Sequence, residues 1–321
     1  MEAGIWDRIF NDPGVRQHRR VVEVLGRLQP DFETAFADIL DGDYSEDEQG
    51  ALRESVRRIF NTMDGSLRNL FRWDVVPSLG GTTDLIRLSS GNSSECGFFF
   101  TLNQDLFVER WIMDKTEPDR GGQLRHLGIG GSPGMGRRAL GIDDVRRIPV
   151  SGDLPGIVTS EEKNQHFAYV KLHGSTGWVD SIGQGAMVIG GGKERQIRSE
   201  PLLNWYFDLF RQVMLERPHR LLVIGYGFRD RHVNQVLAHA IRDPGLDIAA
   251  LSPQPWCKFK ASLDSSDGSS DSDSVLAIRD CFLSPNSRYF QRGLVDVLPP
   301  ESQSLGAKTE DWLEIRSYLR E

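Results

Sequence analysis

Cysteine is scarce. Only Cys96, Cys257 and Cys281 occur in 321 residues, far apart and without a Cys-x-x-Cys pair, which excludes a zinc-ribbon spacing and a disulfide framework. No run approaches the ~18 apolar residues of a membrane span. The N-terminus carries no apolar signal segment. A reducing cytoplasm is the expected location. A basic excess is missing too: 38 Lys and Arg against 46 Asp and Glu leave a formal charge of −8, which argues against a dedicated nucleic-acid binder. The small basic clusters (Arg16, Arg19 and Arg20; Arg53, Arg57 and Arg58; Arg137 and Arg138) have acidic neighbours and read as solvated helix faces. What is present is ordinary: 39% apolar and 26% charged residues can build a sizeable soluble core.

The expected organisation is one α/β domain over residues 1–321. Its N-terminal part, 14–73, reads as helical. Val21, Val22, Val24, Leu25 and Leu28 recur at helical spacing, and Phe32, Ala35, Phe36, Ile39 and Leu40 follow, with Asp31 placed to cap them. After an acidic loop, Asp41 to Glu48, come Leu52, Val56, Ile59, Phe60 and Met63. A fourth pattern covers Leu67 to Trp73. The character then changes to short apolar runs that fit strands buried on both faces: 97–102, 167–172, 221–225 and 248–251. Helical stripes separate the later runs: Leu202, Tyr206, Leu209, Phe210, Val213 and Met214, then Val233, Val236, Leu237, Ala240 and Ile241. Strand alternating with helix predicts parallel pairing and a doubly wound, Rossmann-like sheet with helical insertions. Residues 114–150 read as a loop or small helical excursion, and 264–274, DSSDGSSDSDS, as a disordered loop.

In such a sheet the ligand sits beyond the carboxyl ends of the strands. After the first run come Thr101, Asn103 and Asp105; after the second, Leu172-His173-Gly174-Ser175. After the third come Gly225-Tyr226-Gly227-Phe228-Arg229-Asp230, with Asn234 on the following helix and Asp230 able to cap it. Taken singly, an Asn-x-Asp or a His-Gly after a strand is more often turn chemistry. Their joint placement at one end of successive strands favours a ligand edge. Two other glycine clusters, Gly128 to Gly134 and Gly190-Gly191-Gly192-Lys193, lack the strand and helix context of a phosphate loop and read as surface turns. His166, His219, His232 and His239 read as structural or surface histidines. No Cys/His/Asp spacing suggests a metal site. Trp178 reads as packing beneath the edge.

These motifs, in this order, resemble the sirtuin-like superfamily, and its bacterial NAD-hydrolase branch more than its protein deacylases. In that branch a Thr-x-Asn-x-Asp type strand end, a Lys-Leu-His-Gly-Ser segment and a Gly-Tyr-Gly/Ser-Phe-x-Asp-x-x-Ile/Val-Asn segment recur; here the last reads GYGFRDRHVN. The resemblance spans roughly residues 1–300. Residues 175–199 contain no cysteine where deacylases carry a four-cysteine zinc module. The chain begins Met1-Glu2-Ala3-Gly4-Ile5-Trp6, as if inside the superfamily's first glycine-rich motif, with the first strand and phosphate loop missing.

The resemblance implies a fold and a chemistry. NAD is the substrate, and the reaction is cleavage to ADP-ribose and nicotinamide by water. Asn103, His173 and Asp105 are the implied catalytic residues. Thr101, Gly225, Tyr226, Gly227, Asp230 and Ser252 are the implied nucleotide-binding ones, and no metal is implied. The branch also implies an oligomeric effector of anti-phage defence, working with a HerA-type ATPase, an Argonaute-like protein or a signalling ATPase. The alternative, from the missing loop, is a catalytically silent module that binds NAD or ADP-ribose or scaffolds an assembly.

Overall fold

The computed structural model describes residues 7–28, 32–68, 81–82, 85, 98–108, 124–126, 167–179, 185–216, 220–243, 245–264, 272–285, 287–299 and 309–320. They fall into two compact units, one drawn from Met1–Leu70 and Phe99–Tyr206 and the other from Phe71–Phe98 and Phe207–Glu321.

The first unit opens with helices α1 (Pro13–Arg16), α2 (Arg19–Arg27), α3 (Phe32–Asp41) and α4 (Glu46–Arg68). Asp12 starts α1: its carboxylate accepts the Gly14 and Val15 amides at 2.9 and 3.4 Å. Arg58 of α4 reaches the same carboxylate at 3.1 and 3.2 Å, which ties the first helix to the fourth. Ser45 and Glu48 form a capping box at the start of α4. The Ser45 amide donates to Glu48 at 2.8 Å, and the Glu48 amide donates to the Ser45 hydroxyl at 3.3 Å. The acidic loop is therefore shorter than its composition suggests, because Glu46, Asp47 and Glu48 form the first turn of α4, where carboxylates face the positive end of the helix dipole. Val21, Leu25, Phe36, Ile39, Leu52, Val56 and Ile59 make one apolar core, as their spacing predicts. Each of the larger side chains contributes about 1.5–3 kcal/mol by leaving water. Leu67 and Arg68 complete α4 and start no separate helix. Asp31 and residues 69–73 lie outside the described residues.

The strands of this unit are β1 (Phe98–Thr101), β2 (Leu124–His126), β3 (Phe167–Lys171), β4 (Gly174–Val179) and β5 (Gly185–Met187). The first three form a sheet in the order β1-β3-β2, with β2 parallel to β3 from Leu124 opposite Phe167. The stretch 114–150, read as a loop or helical excursion, thus supplies a strand, and its other residues lie outside the described ones. Strands β4 and β5 pair antiparallel. Helix α5 (Lys193–Ser199) follows, and then α6 (Pro201–Glu216), of which residues up to Tyr206 belong to this unit and those from Phe207 to the other. Gly190 to Gly192 form more than a surface turn. A Cβ on Gly191 would lie 2.2 Å from the Asp41 carboxylate, so the loop is pressed onto α3. The Gln196 side chain closes it by donating to the carbonyls of Ile189 and Gly191 at 3.0 and 2.7 Å.

The second unit holds β6 (Arg220–Ile224), α7 (Arg231–Arg242), β7 (Asp247–Leu251), α8 (Trp256–Asp264), α9 (Ser272–Phe282), β8 (Arg288–Phe290), α10 (Leu294–Val297) and α11 (Glu310–Arg320). The strands are parallel in the order β6-β7-β8, joined through α7 and through α8 with α9, so the alternation predicted for this region holds. Ile248, Ala249, Ala250 and Leu251 are all buried, as a strand covered on both faces requires. Ala249, Leu251 and Phe290 share a core with Trp312, Ile315 and Tyr318 of α11. Within the Ser/Asp-rich segment, Asp264 ends α8 and Ser272 opens α9; residues 265–271 lie outside the described ones.

Candidate functional site

In the first unit two turns meet. The carbonyl of Thr101, at the end of β1, accepts the Leu172 amide at 2.9 Å. Its hydroxyl accepts the Asn103 amide at 3.0 Å, a turn that leaves Asn103 exposed at the tip. Gln104 stitches the turn to its neighbours: its carbonyl accepts the Thr176 amide at 2.9 Å, and its side-chain amide donates to the carbonyl of Val188. The Asp105 carboxylate accepts the Phe107 amide at 2.8 Å, and its carbonyl accepts the buried ammonium of Lys171.

His173 follows β3 and is 4% exposed. Its carbonyl accepts the Val188 amide at 3.0 Å, which fixes the backbone beneath the imidazole. Gly174, with φ of +72°, turns the chain into β4. Thr101, Asn103, Asp105 and His173 are therefore brought together by the hydrogen bonds that join the β1 turn to the β3–β4 turn. Trp178 is fully buried, with its ring 6.1 Å from that of Tyr206.

In the second unit the Gly225 amide donates to the Leu251 carbonyl at 3.0 Å, so the loop after β6 starts beside the end of β7. Gly225, with φ of +66°, and Gly227 are both exposed. A Cβ on Gly227 would meet nothing nearer than Arg229, at 4.0 Å. No described neighbour demands a glycine at 227, which is what a backbone left bare for a ligand looks like. Tyr226 packs its ring, tilted by 47°, against that of Phe228 with centroids 4.7 Å apart, and its hydroxyl donates to Asn234 at 3.0 Å. Asp230 occupies the position before α7, but its side chain makes no capping bond there. The Tyr226 hydroxyl and the Asn234 side chain hold the turn instead, so the expected cap by Asp230 is corrected. Ser252 follows β7, its amide donating to the Phe290 carbonyl and its hydroxyl accepting the Gln254 amide at 3.3 Å. Burial pushes the nearby Tyr289 phenol up, and a hydrogen bond from Ser252 partly offsets this.

His232 is buried, its ring 5.4 Å from that of Phe207, whereas His239 is exposed; His166 and His219 lie outside the described residues. The Asp230 carboxylate and an imidazole nitrogen of His232 lie within 4.8 Å, two donor types that a divalent cation accepts.

A SIR2-like domain profile matches residues 98–265, more than half of the chain. The chain belongs to the SIR2-like family. No curated protein matches it. The SIR2-like match runs from β1 to the end of α8 and so contains Thr101, Asn103, Asp105, His173, Gly225 to Asp230 and Ser252. SIR2-like domains have a Rossmann-like α/β fold and use NAD as substrate, and the match is consistent with NAD-related activity. No described helix is long and apolar enough to cross a membrane. The glycine cluster at 128–134 lies outside the described residues.

Two residues of this SIR2-like segment escaped the sequence reading as contributors: Gln104 and Lys171. Lys171 left a signal, since a lone charge at the end of the apolar run Phe167 to Val170 has to find a partner once buried. Gln104 left none, because its partner Val188 is remote in sequence.

Proposed function

We propose that the chain is an NAD glycohydrolase, releasing nicotinamide and ADP-ribose. The observation that carries the reading is the loop after β6, where Gly225 and Gly227 expose bare backbone at the carboxyl end of a parallel strand inside the SIR2-like segment. The bond to be broken joins nicotinamide to the ribose C1′. The leaving group is cationic already and needs no acid. The transition state is oxocarbenium-like, so the protein's work is to position the ribose and favour the developing charge. In this reading Asn103 orients the ribose or the attacking water, and His173 contacts the ribose hydroxyls as base or orienter. Asp105 fixes the carboxamide. Thr101, Gly225, Tyr226, Gly227, Asp230 and Ser252 hold the nucleotide. Water is the acceptor, because residues 175–199 supply no cysteine for a deacylase zinc module.

The reading extends to a single doubly wound SIR2-like domain in a cytoplasmic homo-oligomer that depletes NAD in anti-phage defence. Its partner is a HerA-type ATPase, an Argonaute-like protein or a signalling ATPase. Incubating the purified chain with NAD and resolving the products tests the central reaction. Equal amounts of nicotinamide and ADP-ribose are expected, and intact NAD after prolonged incubation, with and without such a partner, would overturn it.

One observation favours a second reading, a module that binds NAD or ADP-ribose without turnover. The Asp105 carboxylate is engaged by its own backbone, at 2.8 Å from the Phe107 amide, as in a purely structural turn. Binding of ADP-ribose with no loss of NAD would select it.

A further inference from the structure

Phe228 is the one described residue other than glycine with positive φ, at 54°, a left-handed conformation that a bulky side chain adopts only when its surroundings hold it. Two groups do so. Its ring is buried between Tyr226, Phe259 and Phe282, with centroids at 4.7, 5.7 and 5.9 Å. Its carbonyl accepts the side-chain amide of Asn234 at 2.9 Å. Asn234 lies in the first turn of α7 and is 1% exposed. Its oxygen accepts the Tyr226 hydroxyl at 3.0 Å, and that hydroxyl in turn accepts the Asp230 amide at 3.2 Å. One buried amide thus closes the loop from Tyr226 to Asp230 from the inside. The backbone it leaves facing outward is that of Gly225 and Gly227.

We propose that Asn234 is a positioning residue for nucleotide binding: it holds Phe228 in its left-handed conformation and so presents the Gly225–Gly227 backbone ready-formed. The inference rests on the reading of this loop as a nucleotide site. A loop ordered before the ligand arrives spares binding the cost of ordering it, so the lock acts on affinity and leaves the chemical step alone. Asn234→Asp keeps the oxygen that accepts from Tyr226 but turns a second acceptor toward the Phe228 carbonyl, which springs the lock with almost no change in volume. Tyr226→Phe keeps the ring contact with Phe228 and removes only the hydroxyl.

The test is titration of the full-length chain and both variants with ADP-ribose, beside their kcat and KM for NAD and the hydrogen exchange of the Asp230 amide. Asn234→Asp is expected to weaken ADP-ribose binding and raise KM by about tenfold, the loss that one buried hydrogen bond carries. Its kcat should stay within about twofold. Tyr226→Phe should weaken binding by about threefold, and the double variant should be no weaker than Asn234→Asp, because the two side chains act in one network. Exchange at Asp230 should quicken in all three. Folded variants that bind ADP-ribose within about twofold of the unaltered chain would overturn the lock, on the same affinity scale. So would a loss confined to unfolding midpoint. Failure of the unaltered chain to bind NAD or ADP-ribose would overturn the nucleotide reading itself, and is told apart by occurring before any substitution.

Discussion

A Cβ placed on Gly174 would lie 2.1 Å from the carbonyl oxygen of Ala186. The residue directly after His173 is a glycine because β5 passes through the space a side chain would need. Its φ of +72° adds a second reason. Gly174→Ala is therefore expected to cost at least about 3 kcal/mol, combining a backbone clash with a left-handed alanine. Urea unfolding measures it, and a loss below about 1 kcal/mol would show that β5 yields easily.

Gly227 is the opposite case. Among the described residues its added Cβ meets only Arg229, at 4.0 Å, and its φ is not in the left-handed range. Gly227→Ala should leave stability within about 0.5 kcal/mol, as for an unencumbered surface substitution. KM for NAD should nonetheless rise by about fivefold or more, a difference of about 1 kcal/mol in binding. Unchanged KM would mean that no ligand approaches the backbone at this glycine.

Asp12 serves two elements. It caps α1 and binds Arg58 of α4 at 3.1 Å, and it is buried while Arg58 is half exposed. Asp12→Ala should cost about 2 kcal/mol, for the cap and for the contact between helices. Arg58→Ala should cost less than about 1 kcal/mol, because it removes a half-exposed guanidinium and leaves the Asp12 carboxylate accepting the Gly14 and Val15 amides. Paired chemical denaturation separates the two, and equal losses would contradict the account.

The Glu48 carboxyl lies below its ordinary value of 4.5, chiefly because it accepts the Ser45 amide, with further help from the Ser45 hydroxyl and from Arg20. A lowered folded-state value favours the ionised form in the native protein. This contribution is complete above about pH 4.5 and disappears as pH falls through the folded-state value. The stability difference between the unaltered chain and Glu48→Gln should be constant from pH 6 to 7 and vanish in acid. A difference that grows on acidification would reverse the sign.

Much of this was legible in the sequence because it rests on local pattern. The apolar runs at 97–102, 167–172 and 221–225 hold strands β1, β3 and β6, as short apolar runs predict, although β1 is only half-buried along its length and β6 is fully buried only at Val223, rather than covered on both faces. The helical stripes through Leu202 and Val233 lie where their spacing puts them. What escaped depends on partners remote in the chain. Strand β4, Gly174-Ser175-Thr176-Gly177-Trp178-Val179, looks like a turn until β5 pairs with it. Helix α5 buries only Ile197 and shows no stripe. Strand β8 has three residues, one of them arginine. At the candidate site the residue types were legible but their bonding was not: Asp230 looked like the cap of α7, and the Tyr226 hydroxyl and Asn234 hold that turn instead.

Asn103 offers the most direct test of the central claim, because it is exposed at the tip of its turn, where its backbone amide is tied to the Thr101 hydroxyl. Its side chain can be removed without disturbing the core. NAD consumption by the purified chain, beside Asn103→Ala and His173→Ala, is the measurement. The account predicts release of nicotinamide and ADP-ribose by the unaltered chain and a loss of about a hundredfold or more in kcat for each variant, with Asn103→Ala as stable as the original. Turnover that survives Asn103→Ala and His173→Ala undiminished, or no turnover by the unaltered chain, would contradict it.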